Sequence, residues 1–309
     1  MTARLATDDP TLRSFAEEVG SEGPVTVVGR RTRWDLGGPV EPAARKLSAP
    51  AGIVEYVPEE MTVRVLAGTA VDELHATLAE RGQWTALPER GGTVGGAVAV
   101  GENDWRMLGR GALRTAVLQV RYVSAEGRIV TGGGPTVKNV TGFDLPRLMT
   151  GSLGTLGCLA EVIIRTNPRP AVSRWMAADD ADPFAAASAV LAPSAVLWDG
   201  RRTSVLLEGH GPAVDAESAA LASFGSFAEV DPPQAPAGHR WSLPPAALGR
   251  LDDHDTGPFT AVIGAGLVFG EKPQPPRPID PAVAEVSRRV KAEYDPTGRL
   301  NPGRVVGAT

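Results

Sequence analysis

The amino-acid sequence predicts an α+β fold divided into two lobes. At 309 residues, the chain exceeds the size at which a single hydrophobic core stops growing. Loops rich in glycine and threonine separate short strands and helices as far as Pro170, and beyond it they disappear. The remaining pattern has the order β-α-β-β-α-β, which is typical of a ferredoxin-like domain. We therefore expect a first domain at 1–170, a smaller second domain at 171–280 and a C-terminal segment at 281–309.

The first lobe combines short apolar runs, bounded by turn residues, with two segments of helical character. In the second helix, Leu74 and Leu78 repeat at helical spacing, Thr69 can cap the start and Gly82 ends it. The predicted elements, in chain order, are a helix at 11–20, strands at 24–28, 53–56 and 62–68, this second helix, a hairpin of strands at 117–123 and 128–130, and a strand at 159–165.

The second lobe alternates between strand and helix patterns. Its predicted elements are strands at 174–176, 195–198, 204–208 and 227–230, helices at 183–191 and 213–224, a further strand at 259–269, and a final helix at 281–293. Proline-rich segments at 231–236 and 273–281 bracket the strand at 259–269. Because proline interrupts regular structure, we expect these segments to be linkers.

Composition and charge exclude several classes of protein. The net charge is −5 and the positive residues are dispersed along the chain, which argues against nucleic acid or a membrane surface as a partner. No run approaches the roughly 18 apolar residues of a membrane span. The N-terminal residues lack the apolar region of a signal peptide. We therefore expect a cytoplasmic protein.

Metal sites and disulfides are not expected either. Cys158 is the only cysteine, so the chain cannot form an intrachain disulfide, a Cys-rich zinc site or an iron–sulfur cluster of its own, which typically takes four thiolates. The histidines show no metal-ligand spacing; they are His75, His210, His239 and His254. Any cluster must therefore lie on a partner.

Two segments, at 91–96 and 132–157, are dense in glycine. Glycine inside regular structure costs roughly 0.5–1 kcal/mol per position, so such density indicates backbone shaped around a ligand. The Gly-x-x-Gly-x-x-Gly at 151–157 differs from the dinucleotide fingerprint in its spacing, and a strand rather than a helix follows it. A Rossmann site is therefore not expected.

Three motifs carry a resemblance to a known family. They are GGTVGGAVAVG (91–101), PTVKNVTGFDLPRLMTGSLGTLG (135–157) and DPTGRLNPGR (295–304). They resemble the FAD-binding domain of the vanillyl-alcohol-oxidase type (PCMH fold), and most closely the FAD-binding second subunits of bacterial glycolate oxidases. The resemblance covers residues 20–170 strongly and the C-terminal motif weakly.

The resemblance implies a two-subdomain PCMH-type domain, followed by a ferredoxin-like cap, with the C-terminus returning to the FAD lobe. FAD would lie between the two lobes and act in the oxidation of a small 2-hydroxy acid. The implied partners are a second flavoprotein subunit and an iron–sulfur subunit. Two alternatives remain open: a self-sufficient FAD-dependent hydroxy-acid oxidoreductase, and a non-catalytic assembly scaffold that keeps the flavoprotein fold.

The resemblance also assigns cofactor-binding residues. They are Gly29, Arg30, Arg31, Thr32, Arg33, Gly91, Gly92, Thr93, Val94, Gly95, Gly96, Lys138, Asn139, Thr141, Gly142, Phe143, Asp144, Gly154, Gly157 and Asn301. Residues 29–33 would form a pyrophosphate cradle in which backbone N–H groups converge on an anion. The same loop lacks the histidine that tethers FAD in some relatives, so we expect non-covalent FAD. Lys138 would stabilise the reduced flavin.

Each assignment has a structural alternative. Residues 29–33 could form an ordinary exposed basic turn, and 91–96 a tight turn between strands. Asp144 could cap the turn before Leu145, and Asn301 could lie in a plain surface turn. The presence of Lys138 could be chance.

Candidate catalytic residues are few. The sister catalytic subunits of the family carry a histidine-rich metal motif in the cap, and this sequence lacks it. His210 and Arg240 are the candidates here, as an acid–base group and a carboxylate-binding group. Surface positions are the alternative for both.

Overall fold

The computed structural model describes residues 9–135, 143–251, 253–275 and 278–306. The strands are β1 (Val25–Val27), β2 (Arg45–Leu47), β3 (Ile53–Val57), β4 (Thr62–Leu66), β5 (Gln83–Thr85), β6 (Val117–Val123), β7 (Ile129–Gly133), β8 (Cys158–Pro168), β9 (Val172–Asp179), β10 (Ala195–Trp198), β11 (Arg202–Gly209), β12 (Ala228–Val230), β13 (His239–Ser242), β14 (Phe259–Val262) and β15 (Leu267–Gly270). The mixture of these strands with helices confirms the predicted α+β class.

The helices vary from one turn to four. They are α1 (Pro10–Val19), α2 (Val71–Ala79), α3 (Val94–Val100), α4 (Met107–Arg110), α5 (Leu113–Ala116), α6 (Leu145–Met149), α7 (Pro183–Ala189), α8 (Gly211–Phe224), α9 (Asp253–Thr256) and α10 (Pro281–Tyr294). Aspartates cap several of them: the Asp9, Asp182 and Asp280 carboxylates accept N–H groups of the first turns of α1, α7 and α10.

The chain divides into two compact units. Among the described residues, the first draws on the ranges 9–103, 113–168 and 278–306, and the second on 104–112 and 169–275. Residues 104–112, which the sequence analysis placed in the first domain, pack with the second unit. Trp105 stacks on Trp175 with ring centroids 5.7 Å apart. Gly109 lies against Ser194 so closely that a Cβ would sit 2.4 Å from the serine hydroxyl.

The first unit is built on an antiparallel sheet of order β3-β4-β8-β6-β7, with β5 paired to β8. A core of fully buried side chains lies between this sheet and helices α2, α3 and α6; it includes Leu74, Leu78, Val98 and Met149. Each buried leucine contributes roughly 2 kcal/mol. A separate parallel pair, β1 and β2, packs with α1 through a second core.

The second unit is a seven-stranded sheet of order β12-β9-β11-β10-β14-β15-β13. All of its neighbouring strands pair antiparallel. Helices α7 and α8 pack on it, and its core includes Val196, Val205, Leu221 and Ala261.

Two local predictions are wrong. The predicted strand at 259–269 is a hairpin of β14 and β15, because Gly264 and Gly266 take left-handed φ values of 82° and 68° and reverse the chain. Thr69 does not cap α2. The N-cap is Ala70, and the Thr69 hydroxyl exchanges hydrogen bonds with Gly52. Sequence periodicity alone carries no information about that long-range partner.

Candidate functional site

A cavity of about 340 Å³ opens in the first unit. It is lined by the loop after β1, the residues that follow β2 and β4, helix α3, the loop before β8 with the start of that strand, and the residues that follow α10. The residues that the sequence analysis assigned to a cofactor and that line this cavity are Gly29, Arg30, Arg31, Thr32, Arg33, Thr93, Gly95, Gly96, Gly154, Gly157 and Asn301.

The loop after β1, Gly29–Trp34, is called the first loop below. Within the described residues, no hydrogen bond runs from the N–H groups of Gly29, Arg30, Arg31 or Thr32 to a protein acceptor. Arg31 takes a left-handed φ of 57°, which costs a non-glycine residue about 1–2 kcal/mol. Open N–H groups around a left-handed residue are typical of an anion-binding loop.

The Arg33 side chain ties the first loop to the next one. Its Nε donates to the Glu102 carboxylate, and both side chains are almost fully buried, at 4% and 2% exposed. Its Nη1 donates to the Gly91 carbonyl at 2.9 Å. Arg90 reaches the other oxygen of Glu102 at 2.8 Å. The Arg33 guanidinium therefore holds the loops together.

Residues 91–96 are called the α3 loop below, and the N–H groups of its second half, Val94 to Gly96, are bonded within the protein. Thr93 is the N-cap of α3, and its hydroxyl accepts the Gly96 N–H at 3.2 Å. The Gly95 N–H donates to the Ala67 carbonyl at 2.7 Å. A Cβ on Gly95 would lie 2.9 Å from that oxygen, so glycine here allows α3 to approach the end of β4.

The loop before β8, at 151–157, approaches the cavity from the sheet. Leu153 and Gly154 both take left-handed φ values, 54° and 69°. A Cβ on Gly157 would lie 2.3 Å from the ring of Tyr122. β8 follows directly, at Cys158, as the sequence predicted.

Backbone strain is concentrated at this cavity. Arg31, Leu153 and Asn301 are non-glycine residues with positive φ, and all three line it. The Asn301 amide donates to the Leu153 carbonyl, and its oxygen accepts the Thr26 hydroxyl at 2.6 Å. Strained residues that neighbouring contacts hold in place are typical of binding sites.

Comparison with known families identifies this region. Residues 10–133, which contain the first loop and the α3 loop, match the family described as FAD binding domain. This part of the chain is a PCMH-type FAD-binding domain. FAD is its cofactor.

Relatives extend the match beyond that range. The chain is 34% identical to glycolate oxidase subunit GlcE of Escherichia coli (strain K12) over 166 residues, which are 52% of this chain and 47% of that protein. It is 42% identical over 77 residues to D-lactate dehydrogenase of Archaeoglobus fulgidus, covering 25% of this chain and 17% of that protein. The chain thus spans less than half of the length of these two relatives.

A solved structure shows the same fold. Alkyldihydroxyacetonephosphate synthase superposes with a TM-score of 0.67, over 94% of this chain and 73% of that one, at 14% identity.

The residues around the cavity fit FAD, which carries a diphosphate and a ring system that is apolar at its dimethylbenzene end. The first loop offers open N–H donors for an anion. Side chains without polar atoms form much of the wall, among them Val27, Ala49, Ala67 and Leu159. The glycines keep the wall free of further side chains.

Several lining residues were not assigned from the sequence. They include Trp34, Leu153, Cys158 and Arg304. Leu153 and Arg304 lie inside the motifs at 135–157 and 295–304, and Trp34 directly follows residues 29–33, so adjacency could have found all three. Apolar residues at strand ends carry no sequence signal that separates them from ordinary core.

Cys158 forms part of the cavity wall. Burial raises the pKa of its thiol to about 12, so the thiol is neutral near pH 7. Because the thiolate is the reactive form, Cys158 is not a nucleophile in this environment.

Other assigned residues lie elsewhere in the first unit. Gly91, Gly92 and Val94 are not among the residues that line the cavity, and Val94 is fully buried in the core. Phe143 is 89% exposed. Asp144 is the N-cap of α6 and accepts the Arg147 N–H at 3.1 Å. The remaining assigned residues lie outside the described residues; they are Lys138, Asn139, Thr141 and Gly142.

The catalytic candidates belong to the second unit, and the structure does not bring them together. His210 is exposed at the start of α8, directly after β11, and Arg240 is half-buried on β13. Three strands, β10, β14 and β15, separate β11 from β13. At about 4.8 Å per strand, β11 and β13 lie roughly 19 Å apart.

Neither a metal site nor a membrane span emerges from the described part of the chain. No group of three or more His, Cys, Asp or Glu side chains there could hold a metal ion. No helix there is long and apolar enough to cross a bilayer.

Proposed function

We propose that this chain is the FAD-binding subunit of an oxidoreductase complex that oxidises a small 2-hydroxy acid, as in glycolate oxidase. The observation that carries the proposal is the first loop: its N–H groups at 29–32 have no protein acceptor among the described residues, and its residues line a cavity in the region that matches the FAD-binding family. The named relatives act on glycolate and D-lactate, and both substrates are small 2-hydroxy acids.

When bound, FAD would supply the two-electron acceptor for the substrate. The residues of this chain would bind and position it. The N–H groups of Gly29–Thr32 would hold the diphosphate, and the apolar wall would exclude water from the ring system. We propose that the assigned glycines at the cavity contribute through their lack of side chains and Thr93 through its hydroxyl. Arg33 and Asn301 would hold the surrounding loops in place.

The attachment would be non-covalent. The first loop contains no histidine, and Cys158 is held as a neutral thiol by burial. Among the described residues that line the cavity, none therefore has a side chain suited to attack the flavin. Lys138 stays a prediction: its ammonium would stabilise the reduced flavin and raise the reduction potential.

We further propose that the second unit is a ferredoxin-like cap. The first four strands of its sheet have the spatial order β12-β9-β11-β10, with α7 and α8 as the two connections. In chain order this arrangement is 4-1-3-2, as expected for two interleaved βαβ units. The proposed return of the C-terminus to the FAD lobe is supported by hydrogen bonds between Val25 and the segment Arg299–Asn301.

Partner subunits would complete the activity. GlcE is named as a subunit of glycolate oxidase. The single cysteine of this chain cannot ligate a four-thiolate cluster. We therefore propose a second flavoprotein subunit and an iron–sulfur subunit as partners, with His210 and Arg240 as weak catalytic candidates on this chain.

The first experiment is a visible spectrum of the purified chain, followed by acid precipitation. We expect flavin absorption, with a yellow supernatant that contains FAD. A yellow pellet would contradict non-covalent binding. A colourless protein that takes up no added FAD would support the scaffold alternative.

The second experiment is anaerobic addition of glycolate or D-lactate. We expect slow bleaching of the flavin in the isolated chain and fast bleaching when the partner subunits are co-purified. Fast turnover by the isolated chain, lost in His210→Ala or Arg240→Ala, would contradict the subunit role and support a self-sufficient oxidoreductase.

A further inference from the structure

The C-terminal residues Leu300–Val305 run across the first loop and the residues that follow it. Val305 donates its N–H to the Gly37 carbonyl at 2.9 Å, and Glu41 donates its N–H to the Pro302 carbonyl at 2.9 Å. Gly303 takes a φ of 90°, and a Cβ there would lie 2.4 Å from the Pro39 carbonyl oxygen. These backbone contacts fix the segment against residues 37–41.

The Arg304 side chain also contacts the residues that this segment crosses. Its guanidinium donates to the carbonyl oxygens of Trp34, Leu36 and Gly38, with the Leu36 oxygen at 2.6 Å. Its guanidinium carbon also lies 4.9 Å from the centre of the Trp34 ring. The planar guanidinium presents a rigid fork of donors to these carbonyls, whereas a lysine ammonium is a compact charge on a flexible stem.

Trp34 connects Arg304 to the open donors. The guanidinium of Arg31 lies 5.5 Å from the same ring, and the backbone N–H of Trp34 donates to the Arg31 carbonyl at 3.3 Å. Arg31 is the left-handed residue of the first loop. Its conformation is unfavourable for an L-residue, so neighbouring contacts must hold it.

We propose that Arg304 is a positioning residue for FAD: through Trp34 it holds Arg31 in the left-handed conformation that keeps the N–H groups of Gly29–Thr32 grouped at the cavity. This inference rests on the proposed function, because it assigns those N–H groups to the FAD diphosphate. Arg304 acts on the loop, so its role extends beyond stabilising the fold.

The first test compares FAD dissociation constants. The variants are Arg304→Gln, Arg304→Lys and, as a matched control, Arg288→Gln. Arg288 is an exposed arginine of α10 that pairs with Glu285. We expect Arg304→Gln to raise the FAD dissociation constant at least about tenfold, the loss of one or more hydrogen bonds from a charged group. Arg304→Lys should recover only a small part of the lost FAD affinity, and Arg288→Gln should bind FAD as tightly as the wild type.

The second test separates positioning from general stability by a double-mutant cycle with Arg31→Gly. Glycine takes the left-handed conformation without strain, so the loop no longer needs Arg304 to hold it. We therefore expect Arg304→Gln to weaken FAD binding much less in the Arg31→Gly background than in the wild type. Arg30→Gly removes the neighbouring guanidinium without relieving the strain, and in that background the full loss should persist.

Equal losses in all three backgrounds would overturn the proposal, since Arg304 would then act independently of Arg31. Unchanged affinity in Arg304→Gln, measured where circular dichroism shows the variant folded, would also overturn it. If Arg304→Gln does not fold, the same double-mutant cycle is measured with Arg304→Lys. A wild-type protein that binds no FAD would instead contradict the proposed function, so the two failures are distinguishable.

Discussion

The first loop and the α3 loop line the same cavity, yet they use their backbone differently. In the α3 loop, the N–H groups of Gly95 and Gly96 are bonded to Ala67 and Thr93. In the first loop, the N–H groups of residues 29–32 have no acceptor among the described residues. The cavity-lining glycines of the α3 loop, Gly95 and Gly96, thus have bonded N–H groups, and the arginine-rich loop presents open ones.

This difference shows that glycine density and open backbone donors are separate signals. Gly95 is needed because its neighbour Ala67 leaves no room for a Cβ, which is a packing requirement. In the first loop, the informative residue is Arg31, whose left-handed conformation is unfavourable and must be held by its surroundings. Glycine is needed both where two parts of the protein approach closely and where the backbone approaches a ligand closely.

The largest effect is expected at the connection between the loops. Arg33→Gln removes the guanidinium that pairs with Glu102, whose side chain is 2% exposed. Because the buried Glu102 carboxylate then lacks its buried positive partner, we expect a loss of about 3 kcal/mol in the free energy of unfolding. The matched control is Arg90→Gln, which removes the more exposed partner of Glu102 and should cost less than about 1 kcal/mol. Similar losses in urea unfolding of the two variants would contradict this assignment.

Gly95→Ala tests the packing role of the α3 loop. The added Cβ would lie 2.7 Å from the Ala67 Cβ and 2.9 Å from its carbonyl oxygen, so the backbone must shift. We expect a loss of about 2 kcal/mol in the unfolding free energy of the FAD-free protein. At Gly96 the nearest atom is the Thr93 hydroxyl at 3.0 Å, and Gly96→Ala should be milder. The prediction fails if Gly95→Ala has wild-type stability in urea.

Gly29→Ala adds a methyl group to the first loop that would clash with the α3 loop. Its Cβ would lie 2.6 Å from the Thr93 hydroxyl, so Thr93 would have to leave its capping position on α3. We expect a loss of about 1 kcal/mol in stability from the cap and an FAD dissociation constant about tenfold higher. In a Thr93→Ala background the cap is already absent, and Gly29→Ala should then cost little stability. A full additional loss in that background would show that the clash is not with Thr93.

The smallest effect concerns the thiol in the cavity wall. Burial raises the pKa of Cys158 from its ordinary value of 9.0 to about 12. The native protein should therefore react slowly with iodoacetamide, and its rate should keep rising about tenfold per pH unit from pH 8 to 10. The denatured protein should reach a plateau above about pH 9. Because the folded thiol stays protonated, stability should fall above about pH 9, and Cys158→Ala should reduce that fall. An alkylation rate of the native protein that levels off near pH 9 would contradict the raised pKa of Cys158.

The sequence predicted those parts of the fold that depend on local patterns. Strands such as β10 and the α1, α8 and α10 helices follow from periodicity and end at glycine or proline signals. The α3 helix was missed because its glycines suggested a loop, and the Gly264–Gly266 turn was missed because an apolar run continued through it.

The site was predictable only through motifs. Residues 29–33, Thr93, Gly154 and Asn301 were assigned from resemblance, and the structure brings them to one cavity. The pairing of Arg33 with Glu102 and the contact of Arg304 with Trp34 join residues 69 and 270 positions apart, and no local pattern encodes such contacts. Which N–H groups are satisfied is likewise a property of the folded backbone.

Amide hydrogen exchange with and without FAD tests the central claim most directly. If the first loop holds the diphosphate, the amides of Gly29, Arg30, Arg31 and Thr32 should exchange quickly in the FAD-free protein and gain strong protection when FAD is added. The amides of Gly95 and Gly96, already bonded to Ala67 and Thr93, should be protected in both states and change little. Protection that increases at Gly95 and Gly96 while residues 29–32 stay unprotected would contradict the account.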